Sequence, residues 1–184
     1  MESLQGSFLI ATPQMPDPRF AERVIYICVH SAEEGAMGLV INNPLPDITF
    51  EDIFRNAEIP IPSRTLPPLY LGGPVETTAA FFLFSSDYST GSYLDVSATV
   101  RLSRDPAILY DISAGKGPKE FIPTIGYSGW APGQLEHELS VDGWLILPAT
   151  DEIIFRTPDD LKWKKAAKLY GIDIELFGDV IGSA

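Results

Sequence analysis

Gly126-Tyr127-Ser128-Gly129-Trp130-Ala131-Pro132-Gly133-Gln134-Leu135-Glu136 is the stretch around which the chain is organised. It follows an apolar run, Phe121, Ile122 and Ile125, that reads as a strand. Leu135 and Leu139, four apart, read as the start of a helix. Three glycines and one proline in eleven residues imply a specially shaped backbone. The expected result is a strand–loop–helix corner that presents Trp130 and the helix start after Gly133.

Working outward, the chain reads as strands in neighbouring runs with helices interspersed irregularly. Gly6–Thr12, Arg23–His30 and Ala36–Asn42 read as strands, the last two as a hairpin. Apolar residues on both faces of Arg23–His30 imply a strand covered on both sides. Asn42-Asn43-Pro44 stops the hairpin. Thr49-Phe50-Glu51-Asp52 has the form of a capping box for a helix through Ala57. Prolines 60 to 68 force an extended connector to Leu69-Tyr70-Leu71, which ends at Gly72-Gly73-Pro74. Residues 79–84 and 93–102 read as extended, and Asp105-Pro106 opens a helix to about Ser113. Gly143–Leu147 and Ile153–Phe155 read as strands. A last helix, capped by Thr157 with Pro158 at its first position, ends at Gly171. This pattern predicts an α+β fold with a mixed sheet in one domain, residues 1–184.

The chain has 184 residues, 45% of them apolar and 11% aromatic, enough for a substantial core. Its net charge of −12 repels phosphate backbones and anionic membranes, so direct nucleic-acid binding is not expected. The one lysine cluster is Lys162, Lys164, Lys165 and Lys168. A single cysteine, Cys28, permits neither an internal disulfide nor a cysteine-based zinc site. Met1–Gln5 lacks the basic and apolar regions of a signal peptide, and no apolar run approaches a membrane span. The expected setting is cytoplasmic, without a membrane partner.

Catalytic constellations are sparse. Ser128 is two residues from Gly126, but Trp130 stands where a nucleophile elbow needs its second glycine. Asp142 follows it, yet His137 precedes Asp142, so the triad order fails. Gly115-Lys116-Gly117 is not a phosphate-binding loop, because Tyr110 occupies a required glycine position. His30 and His137 are not at ligand spacing, so no metal site is expected, and no cofactor motif is present. Cys28 reads as a buried, inert thiol and His30 as a hydrogen-bonded structural histidine. The turn Pro132-Gly133-Gln134 and the pair Gly72-Gly73 could offer backbone amides to an anion, though turn shape alone accounts for both.

Taken in order, several motifs resemble the YqgE/AlgH family of bacterial proteins. They are Leu9-Ile10-Ala11-Thr12-Pro13 with Asp17-Pro18-Arg19-Phe20, and Gly35-Ala36-Met37-Gly38-Leu39-Val40-Ile41-Asn42 with Pro44. Tyr70-Leu71-Gly72-Gly73-Pro74-Val75 is another. The others are Gly126-Tyr127 with Gly129-Trp130, Gly133-Gln134-Leu135-Glu136, and Trp144-Leu145. The resemblance implies a bent, bifurcated sheet forming a partial barrel with several short helices around it. It carries no agreed activity and no catalytic residues; the AlgH name implies a regulatory role in alginate production. Family members usually carry Ala where this chain has Ser128, and often His where it has Phe84.

The expected function is therefore a cytosolic binding or regulatory protein without evident catalysis, acting on a small ligand or a protein partner. Its candidate ligand-binding residues are Asn42, Gly72, Gly73, Pro74, Gly129, Trp130, Gly133, Gln134 and Glu136. One alternative is an enzyme of hydrolase or transferase type, which requires Asn42, Gln134 and Glu136 to share a pocket. Another is a transcription-related regulator acting through a protein partner.

Overall fold

Continuous apolar runs make up the strands of the first 40 residues, and they build a deeply buried part of the protein. A computed structural model describes residues 2–141 and 143–176. Strand β1 (Ser7–Ala11) pairs antiparallel with β2 (Val24–Ser31), which turns into β3 (Gly35–Val40). Phe8, Ile10, Tyr26, Cys28 and Leu39 point into one core, and Leu9, Ile25, Ile27 and Val40 into another. The doubly covered character expected of β2 is thus realised.

The remaining strands are β4 (Tyr70–Leu71), β5 (Val75–Ser85), β6 (Leu94–Asp95), β7 (Val100–Ser103), β8 (Phe121–Trp130) and β9 (Trp144–Pro148). They form one nine-stranded sheet in the order β6-β7-β5-β8-β3-β2-β1-β9, with β4 attached to β8. The β4–β8 pair is parallel and the rest are antiparallel, so the sheet is mixed. The α-helices among the described residues are α1 (Phe50–Asn56), α2 (Ala107–Ser113), α3 (Gln134–Ser140) and α4 (Asp159–Lys168). Helices α1 and α2 cover a third core with Phe82, Phe84 and Phe121. The α1 capping box forms as expected: the Thr49 and Asp52 side chains each accept the other's backbone N–H.

Strand β8 joins the two halves of the sheet. Its first half pairs with β4 and β5, its last three residues with β3. The strand was expected to end near Ile125, but it continues to Trp130. Gly126 makes this possible. Its φ of 72° inverts the side-chain alternation, so that Ile122 before it and Tyr127 after it enter the same core. A Cβ at Gly126 would lie 2.4 Å from the Gly73 carbonyl oxygen, so only glycine fits.

The sheet is strongly curled. Strands β8 and β9 are separated by β3, β2 and β1, which in a flat sheet puts them roughly 19 Å apart. Yet the rings of Trp130 and Trp144 approach to 6.5 Å between centroids. The curl is the partial barrel expected from the resemblance.

Two local expectations are corrected. Ile153–Phe155 is part of a π-helical turn, Glu152–Arg156, not a strand. Adjacent Ile153 and Ile154 are both buried, which a half-covered strand cannot arrange. Thr157 does not cap α4. Its hydroxyl donates to the Glu152 carbonyl and so closes the preceding turn. The end of α4 follows the reading: Gly171, at φ 74°, donates to the Lys168 carbonyl and Ile172 to that of Ala167. No helix among the described residues is long and apolar enough to cross a membrane.

Candidate functional site

A cleft of roughly 380 Å³ opens where the curled sheet meets itself. The end of β8 supplies Ser128, Gly129 and Trp130, the start of β9 Trp144, and α3 Gln134 and Glu138. The segment after β1 adds Met15, Asp17, Arg19 and Phe20. Register explains the two indoles. Trp130 lies opposite Ala36 and Trp144 opposite Ala11, and each alanine leaves room for a large ring on its face.

The indoles are held by one carboxylate. Glu138 Oε2 accepts the Nε1–H of Trp130 at 2.9 Å and that of Trp144 at 3.0 Å. Gln134 Nε2 donates to Oε1 of the same group at 3.1 Å, while its own carbonyl oxygen accepts the Ala131 amide. Phe20 stands edge-on to Trp144, with ring centroids 5.5 Å apart. At the mouth, the guanidinium of Arg19 grips Asp17 and holds its carboxyl below the usual carboxylate range. These rings and polar groups can bind and orient a ligand. None of them forms a nucleophile–base pair.

Several sequence-selected residues meet here and others do not. Pro74, Gly129, Trp130 and Gln134 line the cleft. Gly72 and Gly73 lie beneath it. The Gly72 amide donates to Ile125, and its carbonyl accepts from Val40 and from the Ser128 hydroxyl. A Cβ on Gly73 would sit 2.2 Å from the Tyr127 carbonyl. Both glycines therefore serve backbone packing, and the Gly72 amide is not free for an anion. Gly133 takes φ 80° to start α3 and is exposed.

Glu136 points elsewhere. Its carboxylate meets His30 Nε2 at 2.7 Å, and that contact lowers the Glu136 pKa. His30 Nδ1 accepts the Leu4 amide, so the ring joins the N-terminal segment, β2 and α3. This is the structural histidine anticipated from the sequence, with a partner that the sequence did not reveal.

Asn42 belongs to a different cleft, with Glu22, Arg23, Pro44, Asp159, Trp163 and Lys164. Both ends of its amide bond the backbone: Oδ1 accepts the Val24 N–H and Nδ2 donates to the Glu22 carbonyl. Asn42, Gln134 and Glu136 thus lack the shared pocket that the enzyme alternative requires. Ser128 is 1% exposed and donates to Gly72. Asp142 lies outside the described residues. Phe84 is in the core beneath α1 and α2. Cys28 is buried, which pushes its thiol pKa well up and leaves it inert. Among the described residues, no three His, Cys, Asp or Glu side chains are grouped to hold a metal ion.

Sequence reading missed Glu138, Trp144 as a cleft wall, and Lys162. Lys162, read as one of a cluster of four lysines, is 2% exposed. Its ammonium donates to the Ile41 carbonyl at 2.7 Å and pairs with Asp159 at 3.0 Å. Burial pushes its pKa down, opposed by Asp159. The signal for Glu138 was its i, i+4 spacing from Gln134.

A curled, mixed sheet whose seam is bridged by two indoles over one carboxylate defines this as an α+β half-barrel protein. Residues 8–175 match the DUF179 family, described as AlgH-like, and the chain belongs to that family. A UPF0301 protein of Desulfotalea psychrophila is 41% identical over 182 residues, covering 99% of this chain and 95% of the relative. One from Pseudoalteromonas translucida is 40% identical across the whole of both chains. The solution structure of the AlgH protein from Pseudomonas aeruginosa is similar with a TM-score of 0.77 at 36% identity, covering 96% of this chain and 93% of that one. A Corynebacterium diphtheriae protein, at 22% identity and TM-score 0.75, shares the fold over 96% of this chain and 91% of its own.

Proposed function

We propose that this protein is a single-domain cytosolic binding module whose ligand occupies the cleft lined by Trp130 and Trp144. The observation that carries this reading is the ready-built aromatic wall, fixed by one carboxylate that bonds both indoles. Its volume falls within the range of small-molecule sites. The polar groups at its walls are occupied in holding one another, which supports recognition over bond making. The net charge of −12 directs the site away from nucleic acid.

A thermal-shift screen of metabolites tests this, with Val141→Trp as the control. Val141 lines the cleft and is 60% exposed, so a larger side chain obstructs the mouth without entering the core. A ligand present at a hundred times its dissociation constant stabilises by about 2.7 kcal/mol. The expected result is a ligand that raises the melting temperature of the wild type and not of the variant. Equal shifts in both proteins would sink the assignment.

A further inference from the structure

We infer that the ligand of this cleft is a small organic cation carrying an alkylammonium group. The inference rests on the proposed binding role and names the ligand's chemistry. Two observations carry it.

The first is the shape of the aromatic wall. Trp130 and Trp144 meet at 78°, and Phe20 and Trp144 at 66°. Rings at such steep mutual angles pack edge to face, and together they line one side of the cleft. Aromatic linings attract cations through the negative potential of their ring faces. One cation already uses this wall: the guanidinium of Arg19 lies 5.7 Å from the Phe20 centroid.

The second is the charge balance. Asp17 is neutralised by Arg19 at 2.7 Å. Glu138 receives three N–H donors, from Trp130, Trp144 and Gln134. None of the ion pairs among the described residues involves Glu138. Its negative charge is fixed in place, lines the cleft and has no counter-ion. An anionic ligand would face that charge with only Arg19, already engaged, to receive it. A neutral apolar ligand would exclude water from that charge and still leave it without a counter-ion. An alkylammonium group meets both the rings and the charge.

The test uses the full chain and the indole N–H resonances of its three tryptophans. Choline is the probe, and 3,3-dimethylbutan-1-ol is its neutral isostere. Trp163 is the internal reference, because its indole donates to the Ala11 carbonyl and the residue borders the Asn42 cleft. Choline should shift the Trp130 and Trp144 resonances and leave Trp163 in place. The neutral alcohol should bind at least about tenfold more weakly. Glu138→Gln should lower choline affinity about tenfold more than it lowers that of the alcohol, so that the preference for the cation is lost even if both bind less well. The wild-type comparison of the two probes stands even if that variant is poorly folded. Equal binding of both probes overturns the cation inference and leaves the binding role intact. So does silence toward choline when the thermal-shift screen finds a ligand blocked by Val141→Trp. Silence in both assays overturns both.

Discussion

The Trp130 cleft and the Asn42 cleft use similar parts to different ends. Each has a tryptophan, a side-chain amide and paired charges at the end of a strand. In the Asn42 cleft the polar groups close the fold. Asn42 ties β2 to the segment after β3, and Lys162 reaches across to the Ile41 carbonyl. Asp159 then accepts the Tyr70 hydroxyl and pairs with Lys162, so the charge is matched inside the protein. In the Trp130 cleft Glu138 organises two indoles but keeps an unmatched charge at the wall. Polar residues that complete a backbone make structure. Polar residues that are held in place without charge balance leave something for a partner to complete.

The largest effect expected comes from the backbone of β8 that leads into the Trp130 cleft. Gly126→Ala combines a φ of 72° with a Cβ contact of 2.4 Å to a carbonyl that cannot swing aside. A loss of more than about 4 kcal/mol is expected, read as failure of cooperative urea unfolding or loss of soluble protein. A well-folded variant would break the claim that this crossing pins the sheet.

Asn42→Ala should come next. It leaves the Val24 amide buried without its acceptor, at a cost of about 2 kcal/mol in urea denaturation. Ligand binding near Trp130 should be unchanged in the folded fraction. Weakened binding with undiminished stability would reverse the roles assigned to the two clefts.

The smallest effect is a pH dependence. His30 lowers the pKa of Glu136. A depressed carboxylate contributes stability above its unfolded pKa, near 4.3, and loses it as pH falls through the lower folded value. Because Glu136 is 28% exposed, the contribution should stay within about 0.5 kcal/mol. Glu136→Gln should flatten the acid side of the stability profile below about pH 4, with little change at neutral pH. An unaltered acid limb would show that the contact is not a stabilising one.

Much of the architecture was legible because it rests on local chemistry. The strands of the first 42 residues, the Thr49 capping box and the glycine end of α4 all follow from spacing and cap residues. The Gly126–Glu136 stretch stands out in the sequence, but its shape does not. A glycine within a strand and a glycine that ends one look alike in sequence, and only the contact with Gly73 separates them. The site was half legible. Trp130, Gly129, Pro74 and Gln134 were found because their motifs are unusual for a linker. Trp144 was hidden because its proximity to Trp130 depends on how far the sheet curls. Glu136 and Glu138 are equally acidic, and the turn of α3 sends one to His30 and the other to the indoles.

The pairing of β1 with β9 has a consequence for synthesis. Ser7–Ala11 must wait for Trp144–Pro148 before its outer edge is hydrogen-bonded. At ribosomal rates of about 5–20 residues per second, that wait is on the order of ten seconds. During it, a strand whose Phe8, Leu9, Ile10 and Ala11 all end fully buried presents a bare edge. The nascent chain is therefore most exposed to mispairing in β1, and β9, made more than 130 residues later, protects it.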